Sequence, residues 1–131
     1  MKKYENFVKA LNNLKEVEKI EEPYSVIGLA AGTSLFQICF EQSWKAIKEI
    51  MNENGFSEGK TGSPKQIIKS AYAAGIIDDE QKWLDMLDSR NEVSHSYNEE
   101  VAKDIINAVR SDYIGIFEEL KEKLERDWLT Q

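Results

Sequence analysis

Residues 25–54 read SVIGLAAGTSLFQICFEQSWKAIKEIMNEN, and this stretch decides the fold class. Val26, Ile27, Leu35, Phe36, Cys39, Phe40, Trp44, Ile47, Ile50 and Met51 recur mostly at separations of three and four, the period of a helix with an apolar face. Gly28 and Gly32 weaken its first turns by about 1 kcal/mol each relative to alanine, but glycines four apart also permit close helix packing. Gly55 supplies a stop, since glycine readily adopts the left-handed conformation that ends helices. The aromatic series Phe36, Phe40, Trp44 has core spacing and predicts packing in place of a cofactor box.

The flanking segments carry the same period. Tyr4, Phe7, Val8, Leu11, Leu14, Val17 and Ile20 predict a first helix, closed by Pro23 because the residue before proline avoids helical geometry. Residues 55–62 are polar and glycine-rich and predict a loop. A phosphate-cradling loop is not expected there: its motif needs four residues between the glycines and a preceding strand, and this stretch has neither. Ser63-Pro64 predicts a helix start, followed by a short helix through Ile67, Ile68, Ala71 and Tyr72 that ends at Gly75. Asp78 is the expected cap of the next helix, which packs through Trp83, Leu84, Met86 and Leu87 and then meets Arg90. Asn98 is the expected cap of a last helix striped by Val101, Ile105, Val109, Ile116, Phe117, Leu120, Leu124 and Trp128. The expectation is a single domain over residues 1–131. It is all-α, an antiparallel up-and-down bundle of four major helices plus one short one.

Composition narrows the function. The chain has 131 residues, 41% hydrophobic and 31% charged, an ordinary composition for one globular domain. No apolar run reaches membrane-spanning length, and Met1-Lys2-Lys3-Tyr4-Glu5 lacks the apolar core of a signal peptide, so a cytoplasmic protein is expected. Cys39 is the only cysteine and His95 the only histidine, which excludes an intrachain disulfide and argues against a zinc site; no metal or cofactor is expected. A net charge of −7 disfavours non-specific binding to duplex nucleic acid.

The chemistry concentrates in Asp88-Ser89-Arg90-Asn91-Glu92-Val93-Ser94-His95-Ser96-Tyr97. A guanidinium fork suits phosphate, an imidazole is the natural acid or base near neutral pH, and a phenol can orient a phosphate or accept a transferred group. Singly, each has a plainer reading: Arg90 pairing with Asp85 or Asp88, His95 capping a helix, Tyr97 packing. Ser94 and Ser96 lack the glycine-lined turn of a hydrolase nucleophile. Five residues of ideal helix turn through about 500°, leaving Arg90 and His95 about 140° apart. If both serve one site, the helix bends or ends between them, or the site is shared across a dimer. The short polar residues Asn91 and Ser94-His95-Ser96 favour an irregular end.

Arg90-Asn91-Glu92-Val93-Ser94-His95 matches the R-x4–6-H motif of the HEPN superfamily, and with Tyr97 the longer R-x4-H-x-Y form. That form resembles the HEPN partners of minimal nucleotidyltransferases (MNT), also called nucleotidyltransferase substrate-binding proteins. Phe36 to Lys45 resembles the F-E-x-x-F-E-x-x-W-K helix of that group. Ser63-Pro64, Ala73 to Asp78 and Trp83 to Arg90 resemble its S-P…A-x-x-x-G-x-I…W…M-x-x-x-R-N run. Gln37 departs from the pattern where an acidic residue is expected.

The resemblance covers nearly the whole chain. It implies a helical bundle that forms a homodimer, with the motif in a cleft at or near the interface. It further implies metal-independent RNA cleavage by the residues matching Arg90 and His95, supported by Asn91 and Tyr97. The protein would be the toxin of a toxin–antitoxin pair. The partner nucleotidyltransferase would neutralise it, in some pairs by transferring AMP to the tyrosine matching Tyr97. Two alternatives remain: a non-catalytic subunit that binds a nucleotide or another substrate, and a purely structural dimerisation module.

Overall fold

The structure is a computed structural model that describes residues 2–56, 62–95 and 98–129. Helix α1, Lys2–Leu14, tightens into a 3₁₀ segment at Lys15–Lys19 and ends before Ile20, whose backbone is extended. Helix α2 is Val26–Glu53, α3 is Pro64–Ala73 and α4 is Glu80–His95. Helix α5 spans residues 99–128, with π-helical turns at Val109–Tyr113 and Leu124–Trp128. The expected four long helices and one short one are present, and no strand occurs among the described residues. None of these helices is long and apolar enough to cross a membrane.

The ends follow local chemistry. Ser25 Oγ accepts from the Gly28 amide at 2.9 Å, and Asn98 Oδ1 from the Val101 amide at 2.9 Å. Ser63 and Gln66 form a reciprocal capping box at the start of α3. Beyond α2, Gly55 has φ +86° and Phe56 N–H reaches back to Met51 O at 2.9 Å. Beyond α3, Gly75 has φ +79° and Ile76 N–H reaches Ala71 O at 2.9 Å. Both ends are glycine-terminated motifs that satisfy otherwise orphaned carbonyls. The expected cap of α4 is displaced by one residue. Asp79 Oδ1 takes the Lys82 amide at 3.1 Å, because Asp78 is engaged by Lys123 Nζ at 2.7 Å.

Helix α2, about 42 Å long, is the axis against which the other helices pack. Phe36 stacks on Tyr113 at 5.3 Å between ring centroids, Phe40 meets Trp83 at 6.3 Å, and Trp83 meets Phe117 edge-on at 5.7 Å. Phe7 of α1 completes the series against Phe117 at 6.1 Å. Trp44, expected in the same core, is only partly buried. The π turns of α5 have a packing reason: Ile105, Val109, Tyr113 and Phe117 are all buried at four-residue intervals. A 3.6-residue helix would rotate such a row by about 40° per step, and a wider turn brings it back.

Gly32 is buried where α2 crosses α5, and a Cβ built there would lie 2.9 Å from Ile106 Cδ1. The glycine therefore fixes how closely the two helices approach. Gly32→Leu is expected to cost about 1–3 kcal/mol by overpacking, read as a lower urea midpoint with an unchanged denaturant slope.

Candidate functional site

Helix α4 presents the motif. Its amphipathic pattern buries Trp83, Met86, Leu87 and Val93, and Ser89 fastens it to α5 through a 2.8 Å hydrogen bond with the Tyr113 hydroxyl. Burial pushes the Tyr113 phenol above its ordinary range, so it stays protonated at neutral pH and serves as an anchor.

Arg90 lies one residue beyond this anchor and is held on two sides. Its guanidinium forms an ion pair with Glu41 of α2 and donates to Asn91 Oδ1 at 3.0 Å. Glu41 is held in turn, its second oxygen accepting from the Trp44 indole N–H at 3.1 Å. One turn further along α4, Ser94 Oγ donates to the Arg90 carbonyl at 3.1 Å and accepts from Gln37 Nε2 at 3.2 Å. Gln37 and Glu41, one turn apart on α2, thus meet Ser94 and Arg90, one turn apart on α4. The departure at Gln37 has a consequence: an amide can donate to Ser94, whereas an ionised carboxylate could only accept.

Two of the alternatives left open by the sequence do not hold. Arg90 pairs with neither Asp85 nor Asp88. They lie five and two residues before it, which turns them about 140° and 160° away around the helix. Nor does α4 bend or end between Arg90 and His95, since it is helical through His95. Asn91 and Ser94 do not break it, because their side chains are tied to Arg90 and Gln37. His95 is the last residue of α4 and exposed. No hydrogen bond or ion pair holds its imidazole among the described residues. Tyr97, the expected acceptor, and Ser96 lie outside the described residues.

The structure therefore brings Arg90, Asn91 and Ser94 together with Glu41 and Gln37, and leaves His95 about 140° around the helix from Arg90. Glu41 is the neighbour of Arg90 that local reading missed. Cys39 is buried on the other side of α2, and burial pushes its thiol far up, so it is no nucleophile.

The outward face of α2 continues from this contact. Ile27 (81% exposed), Ala31, Ser34 and Ile38 (52% exposed) fall within about 40° of one line and lead to Glu41. Exposed isoleucines on one helix face, ending at a charged cluster, form an unpartnered apolar stripe.

Comparison with known proteins gives a consistent picture. The family described as "Nucleotidyltransferase substrate binding protein like" matches residues 2–126. A Haemophilus influenzae protein named "Probable ribonuclease HepT" is 30% identical over 76 residues, 56% of this chain and 52% of that protein. The chain thus matches about half the length of that relative. A solved structure from Thermus thermophilus superposes with a TM-score of 0.78 at 34% identity, over 92% of this chain and 99% of the other. A Haemophilus influenzae structure, described as revealing the fold of a substrate binding domain of a nucleotidyltransferase, gives a TM-score of 0.79 at 23% identity. It covers 94% of this chain and 99% of that one, and at such identity it supports the fold alone.

The Arg90–Glu41 pair is open to direct measurement. The side chains of Arg90 and Glu41 keep 27% and 28% of their exposure, so solvent screens part of the attraction. A double-mutant cycle of Arg90→Ala and Glu41→Ala, read by urea unfolding, is expected to give a coupling of about 1 kcal/mol. A coupling near zero would mean that the pair does not position the guanidinium.

Proposed function

The chain belongs to the nucleotidyltransferase substrate binding protein-like family, and from that premise we propose that it is the HEPN half of a two-protein pair with a small nucleotidyltransferase. In this reading two copies of the chain form a dimer that cleaves RNA without a metal ion. The observation that carries it is the unbroken α4. Arg90 and His95 diverge by about 140° on one helix, so a site that uses both draws them from two chains. The apolar stripe from Ile27 to Ile38, next to the Arg90 contact, supports a second copy as the occupant of that face.

The chemistry asks little else. His95 takes the proton of the ribose 2′-hydroxyl, whose oxygen attacks the adjacent phosphorus. Arg90 donates to the non-bridging oxygens, which gain charge as the attack proceeds. The bond to the 5′-oxygen breaks and that oxygen takes up a proton. Asn91, bonded to Arg90, steadies the fork. In the same reading the protein is the toxin of the pair, and the partner silences it by modifying Tyr97. The Tyr97 hydroxyl attacks the α-phosphorus of ATP, forming a phosphodiester and releasing pyrophosphate.

The Arg90–Glu41 pair also favours a second reading, a binding subunit without chemistry of its own, because the guanidinium already has an anionic partner.

Wild-type protein is expected to cut single-stranded RNA in the presence of a chelator, with Arg90→Ala and His95→Ala each about 100-fold slower or worse. Mixed and allowed to exchange subunits, the two variants should regain about a quarter of wild-type activity. Half the dimers are then mixed, and each carries one intact composite site. No recovery on mixing would reject a shared site, and tight nucleotide binding without any cutting would favour the binding subunit. With the cognate nucleotidyltransferase and ATP, intact-mass measurement should show gains in multiples of AMP that Tyr97→Phe abolishes. Equal modification of Tyr97→Phe would place the acceptor elsewhere.

A further inference from the structure

Beyond Glu41, the same face of α2 changes character. Trp44, Lys45, Lys48, Glu49 and Asn52, together with Lys3 of α1, line a groove of about 380 Å³. Three cations face one carboxylate there, on a chain that carries 24 acidic residues against 17 basic ones. None of the three lysines has an ion-pair partner among the described residues, whereas Lys15, Lys69, Lys121 and Lys123 do. Lys48 Nζ sits 5.7 Å from the centroid of the partly buried Trp44 ring. Glu49 Oε1 is buried and has no hydrogen-bond donor among the described residues.

The groove is linked to the Arg90 contact through Glu41. Glu41 gives one oxygen to Arg90 and the other to the Trp44 indole, so a single carboxylate joins the two places. Lys48 stands seven residues past Glu41, two turns on and about 10 Å along the axis. Clustered ammonium groups suit phosphate, and an indole face suits a base or sugar.

We propose that this groove is a nucleotide subsite, in which Lys3, Lys45 and Lys48 hold phosphate and Trp44 carries the base. A phosphate arriving at Lys48 draws the ammonium off the Trp44 ring and frees that face for stacking. The inference deepens the RNA-cleaving reading and rests on it for the identity of the polymer. It makes the groove the track along which a single strand enters towards Arg90.

The test separates binding from cleavage. A 2′-O-methyl oligoribonucleotide lacks the free 2′-hydroxyl and is held without being cut; ATP is the second probe. Lys45→Gln/Lys48→Gln, checked for folding by circular dichroism, should bind the oligonucleotide at least tenfold more weakly. The slope of log K against log salt should fall by about 1.4, the contribution of two single-strand phosphate contacts. Lys103→Gln, beside Leu29 near the far end of α2, should match wild type in both respects. Lysine-dependent binding of either probe supports the subsite, and the probe that binds identifies its source as polymer or free nucleotide. Wild-type affinity and salt slope for both probes in the double variant would overturn it. If the wild type binds through these lysines yet never cuts cleavable RNA, the cleavage reading fails and the subsite stands. Cutting by wild type with lysine-independent binding gives the opposite result.

Discussion

Phe36 and Phe40 stand one turn apart on α2 and carry its contact with the other side of the bundle. Phe36 is stacked on Tyr113 of α5, and Phe40 is against Trp83 of α4. Trp83 then meets Phe117, which meets Phe7, so the aromatic series runs through four helices and returns to the start of the chain. The position of the Arg90 site follows from this lock. Trp83 and Arg90 lie seven residues apart, two turns on one helix, so seating the indole against Phe40 fixes the rotation of α4. That rotation sets Arg90 and Ser94 against Glu41 and Gln37. The same phase carries His95 away from them.

Much of this was legible in the sequence, and the failures share one physical origin. Helix ends set by chemistry within three or four residues, at Ser63 with Gln66, Asn98, Gly55 and Gly75, could be read directly. Asp78 and Asp79 are neighbours with the same local chemistry. The choice between them is made by Lys123, far along the chain, which no local pattern reveals. Trp44 shared the spacing of Phe36 and Phe40 but stands at the edge of the core, since helical spacing gives a face and not its depth. The arginine's partner was missed in the same way: Asp85 and Asp88 were near in sequence, whereas Glu41 is near in space. Helical phase alone already set both aspartates on other sides of α4. The motif residues Arg90 and His95 were recognisable by type and spacing, but their separation around an unbroken helix required the structure.

The outward face of α2 gathers three kinds of surface on one line. Its first half offers Ile27, Ala31, Ser34 and Ile38; its middle holds the Glu41–Arg90 pair; its second half offers Lys45, Lys48 and Asn52. An apolar half next to a basic half is an unusual allocation for a chain of net charge −7, in which acidic side chains dominate the rest of the surface. Such a field repels polyanions at long range, so nucleic acid approaching this protein is accepted only where positive charge is locally concentrated. In the proposed reading the charge balance of the whole chain and the composition of this one face are thus compatible: the first suppresses non-specific contact, and the second offers a defined point of entry.

Electrostatics at the centre of that face also constrain the mechanism. Glu41 orients the Arg90 guanidinium but cancels its charge, and the Trp44 indole holds the carboxylate in place. A phosphodiester that reaches Arg90 in a single chain meets a neutral pair and gains mainly hydrogen bonds. Two sources can supply what the pair lacks: the lysines two turns along α2, and a second chain apposed along the Ile27–Ile38 stripe. The first brings cations on the same helix face. The second brings an exposed His95. Stabilising the charge that develops on a cleaving phosphate requires net positive potential at that point. In the proposed reading, an arginine already matched by a carboxylate therefore fits catalysis only with help from outside the pair, and by itself it fits recognition.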